Sequence, residues 1–133
     1  STRMSRLRPS PTCPPTHPDL VLELHSGDVV WADLGDSSGR EYAGRRPLVV
    51  IAGEEYLEIV DTLAIVVPVT TRDRGWSNHV RLAGPAGLDA PSFAVTEQPL
   101  TVSRARLLAV AGRVDDACLG EIRGWVRDFV GAH

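Results

Sequence analysis

Every permanently charged cation in this chain is a guanidinium: all 14 basic side chains are arginine, and there is no lysine. Codon bias from a GC-rich genome is the simpler source of that exclusion, but the chemistry follows either way. A guanidinium presents a planar fork of donors that fits two phosphate oxygens at once, whereas an ammonium is a point charge. Arg40, Arg45, Arg46, Arg72, Arg74 and Arg81 all fall between residues 40 and 81. Trp76 shares a loop with Arg72 and Arg74, and cationic contacts beside an aromatic face suit a single-stranded nucleic acid. A solvated turn with Trp76 tucked against the fold is the equal alternative. His79 could act as an acid or base near neutral pH, or be an ordinary exposed strand histidine. Glu41 and Glu97 are carboxylates that could take a proton or hold an arginine; base work requires hydrogen-bond reach to that proton. Positioning is the simpler role for both.

The bulk of the sequence narrows the class. A length of 133 residues suits one domain. The formal net charge of −3 argues against blanket nucleic-acid affinity, so any such binding must come from local clustering. No apolar run approaches the roughly 18 residues needed to span a bilayer. The basic start is not followed by an apolar stretch and cleavage site in signal-peptide order. A soluble, cytoplasmic protein with no membrane partner is the expectation. Cys13 and Cys118 lie far apart in unlike contexts; their count does not look like a secreted framework, and a single disulfide stays an open alternative to buried packing of Cys118. No Cys or His pair has ligand spacing, so a zinc site is not expected; no other metal and no cofactor are expected either.

The elements that must position these residues are mostly strands. Ser1-Thr2-Arg3 ahead of Met4 reads as a remnant before a native start. Pro9, Pro11, Pro14, Pro15 and Pro18 exclude helix and central strand from the stretch that follows. Residues 1–24 are therefore expected to be a proline-rich extension, with Leu20–Leu24 apolar enough to dock as an extra strand or short helix, and 25–133 the folded domain. Strands are predicted at Asp28–Asp33, Arg46–Ala52, Thr62–Thr70, His79–Leu82, Ser92–Thr96, Leu100–Ser103 and Leu107–Gly112. Pro47 is tolerated at the start of its strand, and Pro68 suggests an edge or a bulge. Asp115-Asp116 then cap a helix in which Cys118, Ile122, Trp125, Val126 and Phe129 recur on one face, ending at Gly131. Short strands closed by one terminal helix imply a small, partly open barrel.

Several segments resemble the MazF/PemK toxins. Gly27-Asp28-Val29-Val30-Trp31-Ala32-Asp33-Leu34 looks like their opening strand, and Gly39-Arg40-Glu41 through Arg45-Arg46-Pro47-Leu48-Val49-Val50-Ile51 like their next loop and strand. Val67-Pro68-Val69-Thr70, Asn78-His79-Val80, Gln98-Pro99-Leu100-Thr101-Val102 and Arg106-Leu107 follow in order. The resemblance runs from about Gly27 to His133. It implies a mainly β, SH3-like barrel with a C-terminal α-helix, homodimeric, the endoribonuclease toxin of a type II toxin–antitoxin pair. It further implies metal-free cutting of single-stranded RNA by the substrate's own 2′-hydroxyl, leaving 2′,3′-cyclic phosphate and 5′-hydroxyl ends. Carried over residue by residue, the catalytic pair is Arg46 and Thr70. Glu41, Glu97 and His79 become candidates for acid–base or positioning roles. Arg40, Arg45, Arg72, Arg74, Trp76 and Gln98 become RNA contacts, and a cognate antitoxin with an acidic tail would cover them.

The chain departs from the family at two places, with Leu100 and Val95 standing where relatives often carry arginine. An arginine from that strand is therefore in doubt. Two other readings compete. A gyrase-inhibiting toxin of the CcdB type shares the fold but acts through a Trp-Gly-Ile-like end, and Phe129-Val130-Gly131-Ala132-His133 does not match it. A catalytically silent SH3-like interaction module would bind an antitoxin and cut nothing.

Overall fold

The computed structural model describes residues 7–8, 21–35 and 44–131. Two short strands, β1 (Leu7–Arg8) and β2 (Val21–Leu22), pair antiparallel ahead of the main fold. The main sheet is built from β3 (Asp28–Asp33), β4 (Arg45–Val50), β5 (Leu63–Thr70), β6 (His79–Arg81), β7 (Phe93–Val95), β8 (Leu100–Ser103) and β9 (Leu107–Arg113). Its order is β6-β7-β5-β4-β3-β9, with β8 also pairing to β5. The sheet does not close on itself. Mainly antiparallel strands with one terminal helix are the architecture the sequence predicts.

Side chains alternate across the sheet, and each face has its own core. Val30, Ala32, Leu48, Val50, Ala64, Val66 and Val102 pack on one face, where helix α1 (Glu54–Ile59) adds Leu57. Val29, Val49, Val67, Val69, Val80 and Ala94 pack on the other, under helix α2 (Asp116–Phe129). Being apolar on both sides explains why β4 and β5 read as unbroken β-branched runs rather than alternating ones.

Helix α2 starts where the acidic pair predicts: the Asp115 carboxylate accepts from the Cys118 amide at 2.8 Å. It buries Cys118, Leu119 and Ile122, and each fully buried aliphatic of this kind contributes about 1.5–3 kcal/mol. The Cys118 thiol sits against the Arg81 carbonyl, and burial pushes its pKa up. Phe129 departs from the expected buried face. It is 49% exposed and stacks on Trp125, because the last helical turn runs past the core.

Helix α1 was not predicted by the periodicity, since six residues are too few to show it. Its ends are tied to distant parts of the chain. Glu54 accepts from the Ser26 amide at 2.9 Å and meets His25 Nδ1 at 3.0 Å. At the other end the Arg104 guanidinium donates to the Leu57 and Val60 carbonyls, and its Nε to Leu63. Arg104 lies in a short 3-10 turn (Arg104–Arg106). Burial there lowers its pKa below the ordinary arginine value, with Asp61 and Tyr56 acting in the opposite direction. Arg113 similarly pairs with the fully buried Asp28, and Arg123 donates to the Ile51 and Ala52 carbonyls. Three of the arginines are thus structural.

Candidate active site

Strand register brings the two key residues together. Leu48 faces Pro68 and Val50 faces Val66 across the β4–β5 ladder. Continuing that register outward by two residues sets position 46 opposite position 70, with both side chains on one face. Arg46 is half-buried, as is Thr70. The Thr70 Oγ1 accepts from the Arg72 amide at 3.1 Å, which fixes the turn and leaves the hydroxyl proton to be donated outward.

Pro68 explains how the neighbouring residues reach them. On the side of β5 away from β4, Val66 pairs with Leu100 of β8, but Val69 and Thr70 pair with Ala94 and Phe93 of β7. The partner strand changes at Pro68, where a residue with no amide proton is least costly. Pro68 is buried within a two-sided strand, so the expected edge is replaced by a change of neighbour. The chain between β7 and β8 bows out at this gap and carries Glu97 and Gln98 beside Thr70.

A cavity of about 380 Å³ results, walled by Arg46 and Thr70, by Arg72, Arg74 and Trp76 from the following loop, and by His79, Glu97 and Gln98. Eight residues singled out in the sequence therefore meet in one place. Arg45 does not line it; it faces a second cavity of about 460 Å³ with Trp31, Pro47, Thr71 and Asp89. Arg46 and Thr70 line both cavities. The ends of β4 and β5 thus form a crest with a basin on each side. Arg40 and Glu41 lie outside the described residues.

Glu97 is a hub. Its carboxylate accepts from the Asn78 side-chain amide at 2.7 Å, and both its oxygens lie 3.1 Å from His79 Nε2. Thr96 closes the arrangement by donating its hydroxyl to the Asn78 carbonyl at 2.6 Å. The His79 side chain is only 4% exposed, so the exposed-histidine alternative is overturned. Its Nδ1 is buried with no hydrogen-bond partner among the described residues. A proton on Nε2 directed at the carboxylate, with Nδ1 bare, is the tautomer that places no buried N–H without an acceptor. His79 lies under Trp76, ring centroids 4.8 Å apart, and the Arg74 guanidinium lies 5.2 Å from the Trp76 ring centroid. Trp76 is itself 50% exposed, which leaves ring surface free to receive a base.

Sequence reasoning missed Asn78 as a site residue, although it heads a motif segment; only its contact with Glu97, 19 residues away, reveals the role. It also missed Trp31 and Asp89, which line the second basin from β3 and from the loop before β7. Val95 is buried in β7 and Leu100 packs partly buried against the core, so neither position offers the site a polar group. Among the described residues, no group of three or more His, Cys, Asp or Glu side chains is placed to hold a metal ion.

Comparison with known proteins places the fold and the family. The endoribonuclease toxin MazF of Escherichia coli is 29% identical over 106 residues, covering 79% of this chain and 92% of that protein. The crystal structure of MazF from Deinococcus radiodurans superposes with a TM-score of 0.69 at 25% identity, covering 81% of this chain and 96% of the other. A crystal structure of MazE–MazF from the same organism also gives 0.69, at 23% identity over 83% of this chain and 98% of that one, a likeness of fold. The family model of the PemK-like, MazF-like toxin of type II toxin–antitoxin systems matches residues 25–130, and the chain belongs to that family.

Proposed function

We propose that this chain is a sequence-selective, metal-independent endoribonuclease, the toxin of a type II toxin–antitoxin pair. The carrying observation is the placement of Arg46 and Thr70 on one face at adjoining strand ends, between two basins wide enough for nucleotides. RNA crosses that crest with its scissile phosphate over Arg46 and Thr70. The 2′-oxygen attacks phosphorus and loses its proton, the bond from phosphorus to O5′ breaks, and O5′ takes a proton. A 2′,3′-cyclic phosphate and a 5′-hydroxyl remain.

Negative charge gathers on the non-bridging oxygens along this path. The Arg46 guanidinium can give them two parallel charge-assisted hydrogen bonds, and the Thr70 hydroxyl a third. Strand ends hold these donors with little reorganisation. A guanidinium holds its proton too tightly to be a good donor at neutral pH, so charge stabilisation is its role. Glu97 is occupied by Asn78 and His79, and it positions the pocket wall instead of taking the 2′-proton. Arg72, Arg74 and Trp76 hold the strand by phosphate contact and stacking, with Gln98 beside them.

Partners follow from the same surface. An acidic, initially disordered antitoxin tail would lie along the arginine-lined groove and block it. The chain works as a homodimer in the cytoplasm, where its RNA is; no described helix is long and apolar enough to cross a membrane. Incubating the purified chain with a long single-stranded RNA in EDTA tests the proposal. Cutting by the natural sequence that is lost in Arg46→Ala supports it, and equal cutting by both refutes it.

A further inference from the structure

The second basin contains a feature the cleavage chemistry does not need: an acidic side chain in a groove otherwise furnished with arginines. Asp89 lines the cavity together with Trp31, Arg45 and Pro47, and this cavity shares Arg46 and Thr70 with the one that Trp76 lines. Asp89 is exposed, and its carboxylate makes no hydrogen bond or ion pair among the described residues. A negative charge here repels the phosphates the arginines attract. It becomes favourable when the group beside it presents hydrogen-bond donors, as a base edge rich in N–H does.

The loop carrying Asp89 is held unusually firmly. Gly87, two residues earlier, has φ +80, and a Cβ there would collide with the Ala111 carbonyl oxygen. A Cβ on Gly112 would collide with the Pro85 carbonyl oxygen. The Arg113 amide donates to the Pro85 carbonyl and the Asp115 amide to the Ala83 carbonyl, each at 2.9 Å. On the far side, the buried Ser92 hydroxyl donates to the Ala90 carbonyl at 2.9 Å. Close backbone packing on one flank and a side-chain hydrogen bond on the other fix the backbone at Asp89, which lowers the ordering cost at binding, as a specificity contact requires.

We infer that this basin is a guanine-selective subsite for the nucleotide adjoining the scissile phosphate, with the Asp89 carboxylate reading the base. The inference rests on the endoribonuclease reading for the orientation of the strand. Guanine is the one base whose Watson–Crick edge offers two adjacent donors, N1–H and the N2 amino group, to match two carboxylate oxygens. Adenine and cytosine set a bare ring nitrogen next to their amino group, and that lone pair faces the carboxylate. Uracil offers one N–H between two carbonyls. Trp31, beside Pro47, supplies the aromatic surface on which such a base stacks.

The test uses the full chain on short RNAs that differ only in the nucleotide flanking the cut, with guanosine, inosine, adenosine or cytidine there. Inosine keeps N1–H and lacks the amino group, so the natural chain should cut it about tenfold less efficiently than guanosine, the loss expected for one hydrogen bond to a charged group. In Asp89→Asn that penalty should shrink to less than about threefold. Binding of the same RNAs carrying a 2′-deoxy sugar at the cut reads the contact without cleavage. Binding discrimination without cutting would keep the subsite and discard the nuclease reading. Equal binding of guanosine and inosine RNAs by the natural chain, or an unchanged penalty in Asp89→Asn, overturns the inference.

Discussion

Replacing Glu97 by Gln separates a positioning carboxylate from a catalytic one. Glu97 receives the Asn78 amide at 2.7 Å and spans His79 Nε2 with both oxygens at 3.1 Å. Glutamine keeps one carbonyl oxygen for both donors and must turn its NH₂ away, because each neighbour donates. Hydrogen bonds to a charged acceptor contribute about 1.5–3 kcal/mol and neutral ones about 0.5–1.5, so the change costs roughly 1 kcal/mol at each of two donors. The Glu97 side chain is 29% exposed, and solvent screening brings the total to about 1–1.5 kcal/mol. For a chain of this size that lowers Tm by roughly 4–6 °C. Looser support under Trp76 should reduce kcat/KM about five- to tenfold, mostly through KM. Thermal unfolding and steady-state cleavage of a short RNA measure both quantities on one preparation. A general base would behave otherwise: its loss costs about 10²–10⁴ in rate and need not touch stability. A thousandfold loss of kcat with unchanged Tm would refute the positioning role.

Trp76→Ala removes a half-exposed stacking face and should raise KM for RNA about 5- to 100-fold with kcat within about threefold, read by steady-state kinetics; a fall confined to kcat contradicts it. Arg104→Ala strips three backbone acceptors of their donor at the end of α1, and urea unfolding should show a loss of about 2–3 kcal/mol; a change below about 0.5 kcal/mol would mean water replaces the guanidinium fully.

Much of this arrangement is legible in the sequence because β-branched runs bounded by Gly, Pro and Asp declare strands by local chemistry alone. The predicted Leu100–Ser103 strand and the Asp115 cap are observed at the expected residues. What pattern alone misses depends on contacts between distant residues. Helix α1 depends on Ser26 and Arg104, which lie 28 and 47 residues from their partners Glu54 and Leu57. Pro68 signals irregularity, yet only the sheet order shows the change of partner strand that opens the site. His79 looks solvent-facing in a short alternating strand, and its burial comes from Glu97 and Trp76 closing over it. Asp89 has no local signature at all; the glycine at 87 reports its fixed loop only once Ala111 is seen against it.

The convergence of Arg46 and Thr70 on one phosphodiester is tested most directly by a double-mutant cycle in single-turnover cleavage: Arg46→Ala, Thr70→Val and the pair together. Groups stabilising one transition state lose their effects together, so the double variant should be little slower than Arg46→Ala alone, itself down about 10²–10³-fold or more. Strictly additive losses, or full activity in either single variant, would contradict a shared phosphate.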